Sequence, residues 1–227
     1  MKRLAAKALA VAALAAVFAG TADAAVTLID GSTQGYYNAQ LGDLHGVGLS
    51  SELFPGANCS TGDPSMLPNT AEPTWLGPNI GTWLGNFAPT GGGWSTGLVS
   101  IPAQWKVNDE TAIVYVLDGG KAGLSNVEFD LGVDNGLFVW IDGIFKLGAM
   151  APYGSNLGEY HLDLGSLSAG KHFVQILRED HGGSTDFDIL AKGDVNPARV
   201  PEPGTMLLVG TGLLGMIGLG RKRVGRN

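Results

Sequence analysis

The tightest constraint on the fold is a run of strict alternation. Val127, Phe129, Leu131 and Val133 are apolar, whereas Glu128, Asp130 and Gly132 between them are not. That two-residue period belongs to a strand with one buried and one wetted face. Shortly after it, Asp142-Gly143 stands between Phe138-Val139-Trp140-Ile141 and Ile144-Phe145-Lys146. Asp-Gly between apolar runs predicts a two-residue type I′ hairpin, whose central residues both need positive φ. Leu137–Ile141 continues the alternating run, and further strands are expected at Ala25–Asp30, from Gly35-Tyr36-Tyr37-Asn38, and over Thr111–Asp118, Glu159–Leu164, His172–Leu177 and Thr185–Ala191, with Gly165–Gly170 as a turn. His172–Leu177 is apolar on both faces, as befits a central strand covered on two sides. Between Ser50 and Gly97, Pro55, Pro64, Pro68, Pro73, Pro78 and Pro89 forbid a long helix, while Trp75, Trp83 and Trp94 argue against disorder. Many short strands about ten residues apart predict a mainly β chain folded as an antiparallel β-sandwich.

The two ends follow other rules. Lys2, Arg3 and Lys7 precede the apolar Ala8–Ala19, and Ala22-Asp23-Ala24 supplies small residues for cleavage before Ala25. This is the pattern of a secretory signal peptide, carried as a signal helix and handled by the Sec translocon and signal peptidase. At the other end, Val200-Pro201-Glu202-Pro203-Gly204 is followed by the uncharged run Thr205–Gly220 and then by Arg221-Lys222-Arg223-Val224-Gly225-Arg226-Asn227. Pro201 and Pro203 hold their neighbours extended. The uncharged run, as a transmembrane helix, reaches roughly 24 Å, and the basic tail marks its cytoplasmic side. The alternative is an ordinary single-pass C-terminal anchor.

These three signals together resemble the PEP-CTERM sorting signal, also catalogued as the ice-binding protein C-terminal motif. The resemblance implies that a membrane-embedded exosortase reads Pro201, Glu202 and Pro203 and removes the tail. A membrane-anchored precursor in the inner membrane of a Gram-negative bacterium would then pass to the cell surface or extracellular matrix. The chain divides accordingly into residues 1–24, signal peptide; 25–199, exported domain; and 200–227, sorting signal.

Removing the seven cations of the two ends, with Asp23 and Glu202, from fourteen basic and twenty-one acidic residues leaves seven against nineteen. So acidic an exported body repels nucleic-acid phosphates, excluding nucleic acid as a partner, and attracts divalent cations; it also simply keeps the body soluble. Cys59 is the single cysteine, so packing rather than an intrachain disulfide must stabilise the body. Thr74-Trp75-Leu76-Gly77 echoes Thr82-Trp83-Leu84-Gly85. The tryptophans are read either as platforms for sugars or as plugs of the core. The scattered histidines His45, His161 and His172 are read as structural.

Gly132-Val133-Asp134-Asn135-Gly136-Leu137-Phe138-Val139-Trp140-Ile141-Asp142-Gly143, with Ser166–His172 and Arg178-Glu179-Asp180-His181-Gly182-Gly183, is similar to jelly-roll modules of the galactose-binding-like and PA14 kinds. The resemblance implies a jelly-roll-like sandwich and a carbohydrate-binding class, with Asp134 and Asn135 where such lectins carry paired loop acids; Asn135 departs from that pair. Independently, Asp134, Asn135, Asp142, Glu179, Asp180, Asp186 and Asp188 offer oxygen ligands from strand ends, which makes calcium a candidate cofactor, with His181 a candidate ligand or sugar donor. No HExxH, G-x-S-x-G, P-loop or dinucleotide fingerprint is present. Two functions follow: a non-catalytic module holding carbohydrate, with exopolysaccharide the candidate ligand, or a secreted glycan-active hydrolase using acid pairs such as Glu159 with Asp163.

Overall fold

The computed structural model describes residues 25–44, 68–73, 76–77, 79–86, 88–151, 153–180 and 182–197. The signal and sorting segments, His45, Cys59, Trp75 and His181 lie outside these residues. Nine strands are described: β1 (Val26–Ile29), β2 (Gln34–Gly42), β3 (Val99–Ser100), β4 (Glu110–Asp118), β5 (Leu124–Ile141), β6 (Ile144–Ala151), β7 (Tyr160–Leu167), β8 (Lys171–Glu179) and β9 (Asp186–Val195). Every pairing is antiparallel. Among the described residues no helix is long and apolar enough to cross a membrane.

The sheet follows the order β1-β9-β5-β8-β4-β2-β3, with β6 and β7 also paired to β5. The alternating run Val127–Val133 and its apolar continuation Leu137–Ile141 lie in one strand of 18 residues. Its first half pairs with β7 and β9, its second with β6 and β8. The chain turns over at Asp134–Asn135: β5 climbs one layer beside β9 and descends the other beside β8. Gly132 is the enabling residue beside this corner: a Cβ there would lie 2.4 Å from the Asn156 carbonyl oxygen. The inner faces enclose Ile113, Tyr115, Phe129, Leu131, Val139 and Ile176, all buried.

The Asp142-Gly143 hairpin forms as expected. Its residues have φ of 52° and 79°, both positive as a type I′ turn requires. Strand β7 continues to Leu167, so the expected Gly165–Gly170 turn contracts to Ser168–Gly170. Asp163 accepts from the Gly165 N–H at 2.7 Å and lets Gly165 take φ 66° without ending the strand.

The outer face of the β4/β8/β5/β6 layer is also apolar, which is why β8 reads as covered on both sides. Segment 68–97 covers it. Trp83 stacks on Trp94 (5.9 Å between centroids) and meets Trp140 edge-on (5.3 Å), with Phe138 and Leu177 in the same cluster. The cover is fastened by polar bonds: Thr70 N–H to the Gly148 carbonyl (2.8 Å), Trp140 Nε1–H to Glu72 (2.6 Å), and the buried Gln175 amide, which donates to the Trp83 carbonyl and accepts from Gly143 N–H (2.8 Å). Trp83 therefore acts as a plug of the core, and is not a platform open to solvent.

Candidate functional site

Strand direction sorts the turns into two ends. At one end, called here the base, β1 begins, β4 ends at Asp118, β5 begins, β7 ends, β8 begins at Lys171 and β9 ends at Val195. The opposite end, the crown, holds the β5 corner, the end of β8 and the start of β9.

The crown gathers most of the nominated acids. Asp134 pairs in register with Asp186 across β5 and β9, and Glu179 pairs with Gly136 across β8 and β5. Asp134, Asn135, Glu179 and Asp180 are buried. The Asp134 carboxylate accepts from Asn135 Nδ2 (2.7 Å) and from Ser184 Oγ (2.8 Å). Asp180 accepts from the backbone N–H groups of Asn108 and Gly182, drawing the 105–109 segment to the 180–185 loop. Asp186 accepts from the Phe187 N–H at 3.0 Å, and Asp188 accepts from Ser155 Oγ at 2.7 Å. Among the described residues no group of three or more His, Cys, Asp or Glu side chains is assembled to hold a metal ion.

Asp142 goes elsewhere. The hairpin that carries it descends to the base, because the second half of β5 runs opposite to β8. There its carboxylate contacts His172 Nδ1 at 2.7 Å and accepts from the Phe173 N–H at 2.8 Å, while His172 Nε2 lies 2.9 Å from the Ser168 carbonyl. Both partners of this ring are acceptors. Burial opposes the charge on His172, but these bonds outweigh it and hold the pKa above the ordinary histidine value. His161 contacts Asp130 at 3.0 Å on the surface. Both imidazoles are structural.

Three crown or near-crown residues escaped sequence reasoning. Glu110 is fully buried on the row next to Glu179, since Thr111 pairs with Arg178 and Gly42 with Glu110. Its Oε2 accepts from the Leu44 N–H at 2.6 Å, and Oε1 has no hydrogen-bond partner. Desolvation, reinforced by Glu179 and Asp43, pushes its pKa up to about 9. Burial likewise raises Glu179 well above the carboxylate range. Arg178 is fully buried: its guanidinium lies 4.2 Å from the Trp105 ring centroid and donates to Thr111 Oγ1 (2.9 Å), the Pro102 carbonyl (2.7 Å) and Tyr37 Oη (3.2 Å). Tyr153 is the third. It stands 81% exposed with φ 67° in the loop after β6, whose last residues pair with the β5 corner. A turn residue before Gly154 gave no reason to single it out, whereas the alternation that places Glu110 on the face of Ala112 and Val114 could have flagged the buried acid.

Residues 199–223 match the family model described as the PEP-CTERM protein-sorting motif. The motif marks an exported protein that is membrane-associated and then processed by an exosortase. No curated protein matches the chain. Among solved structures, the chain is similar to one described as a PA14 sugar-binding domain from an RTX adhesin, at 17% identity over 71% of this chain and 91% of that one, with a TM-score of 0.33.

Proposed function

We propose that the exported body is a non-catalytic carbohydrate-binding module, delivered by its sorting signal to the cell surface or the exopolysaccharide matrix, and that the crown holds the sugar. The observation that carries this reading is Tyr153, an aromatic ring 81% exposed in the loop that also carries Ser155. A pyranose offers an apolar C–H face and a rim of hydroxyls. An open aromatic ring stacks on the first, and fixed oxygens such as those of Asp188 and Ser155 bond the second. Trp83, buried under its neighbours, cannot do this, whereas the Tyr153 ring in the loop after β6 is open to solvent. Calcium is a candidate cofactor at Asp134, Asn135 and Asp186, whose carboxylate and amide oxygens have the hardness it prefers.

Affinity electrophoresis in gels containing the producing organism's exopolysaccharide tests the module. The wild-type protein should be retarded, and Tyr153→Ala should run as in a blank gel with unchanged melting temperature. Equal retardation of the variant, or release of reducing sugar by the wild type, would overturn the reading; the latter would favour a glycan-active hydrolase.

A further inference from the structure

We infer that the base of the sandwich, formed by the Gly119–Gly123 and Ser168–Gly170 turns around the end of β9, is the face that docks against the membrane-embedded peptidase reading Pro201-Glu202-Pro203. The inference rests on the sorting match at residues 199–223 and adds to it a surface of the folded body. Strand β9 runs from the crown to the base and ends at Val195. The chain is still clamped one residue later. Asn196 N–H donates to the Gly123 carbonyl (3.1 Å), its Nδ2 donates to the Ala122 carbonyl (3.2 Å), and its Oδ1 accepts from Ser125 Oγ (2.8 Å). The body therefore holds the chain as far as Asn196.

Five steps separate Asn196 from Pro201, at most about 17 Å of fully extended chain. The ten residues of β9 span roughly 30 Å. The tether is thus shorter than the body it carries, and whatever grips Pro201–Pro203 works with the base against it and the crown averted. The two turns meet through Gly119 N–H to the Gly170 carbonyl (2.7 Å) and Gly170 N–H to the Gly120 carbonyl (3.0 Å). The base carries Lys121 and Lys171 alongside Asp118, Asp142 and Asp194, while Asp134, Glu179, Asp180 and Asp186 sit at the far end. Repulsion from anionic headgroups acts over only ~8 Å, so in this orientation the four crown acids lie beyond its reach.

The test uses the full chain in cells whose exosortase is inducible. The native thiol is removed by Cys59→Ser, and Lys121→Cys or Ala169→Cys marks the base while Leu157→Cys marks the crown side. Accumulated precursor is labelled on spheroplasts with polyethylene-glycol maleimide, the peptidase is induced, and loss of the tail is followed by gel mobility. Label at the base should abolish processing, and label at Leu157 should leave it at the unlabelled rate. A Gly-Ser insertion of about 20 residues after Pro197, spanning about 25 Å, should restore cleavage of base-labelled chain. Equal cleavage of both labelled forms, equal blockade of both, or failure of the insertion to rescue would overturn the docking face. An unlabelled precursor that is never cut would instead remove the sorting premise, and the face with it.

Discussion

Replacing Glu110 by Gln should flatten the pH dependence of stability. Glu110 and Glu179 occupy neighbouring strands on one row, both buried, so two negative charges there would face each other without water. The native state keeps a proton on Glu110 up to about pH 9, whereas the unfolded chain releases it near 4.5. Between those values the folded protein binds more protons than the unfolded one, so stability is full below 4.5 and is lost as pH rises. One such proton gives a slope of about 1.4 kcal/mol per pH unit, or roughly 4 kcal/mol between pH 5 and pH 8. The glutamine has the same shape, still accepts from the Leu44 N–H and carries no titrating proton. Urea unfolding of the secreted, tail-free protein at pH 5, 6, 7 and 8 measures the difference, with the midpoint read at constant m. The variant should nearly match wild type at pH 5 and exceed it by several kcal/mol at pH 8. His172, also raised, contributes to both proteins and drops out of the comparison. Parallel pH profiles for the two proteins would refute the buried-proton argument.

Three further outcomes can be checked. Arg178→Lys loses the planar stack on Trp105 and cannot reproduce the three-way bonding, and should cost about 3 kcal/mol in urea unfolding even though the charge is kept. Gly143→Ala puts a side chain at φ 79° and within 3.1 Å of the Gly85 nitrogen, and should lower stability by about 1–2 kcal/mol in thermal unfolding, more than Gly154→Ala, where a Cβ meets nothing within 4 Å. Calcium should raise the melting temperature of the wild type, and Asp134→Ala should abolish that rise; the absence of any shift in wild type would dismiss the cofactor.

The strands were legible because alternation and the Asp142-Gly143 pair encode local geometry that nothing elsewhere overrides. The hairpin appeared with both φ values positive, and β8 was read correctly as covered twice. What covers it could not be read, since segment 68–97 has no periodicity and is held by single bonds from Thr70, Glu72 and Gln175. The acids were harder still. A strand-end carboxylate gives no sign of which end it will occupy, and Asp142 went to the base because β5 reverses at Asp134–Asn135. Glu110 stands one residue before the expected strand Thr111–Asp118, and its burial is completed by β2 and β8 on either side. Asp134, Asn135, Asp180 and Asp186 do share the crown, but as clamps of adjoining loops as much as open ligands. The His181 and Pro201–Pro203 expectations lie outside the described residues.

Strand β5 is common property of both layers, and this governs how the body fails. A sandwich whose halves share no strand can part like two pages, exposing one while the other survives. Here either page can leave only by stripping hydrogen bonds from the same 18 residues, so amide exchange in β9 and in β8 should report a single global opening. For a chain with one cysteine, that all-or-none behaviour serves in place of a covalent staple.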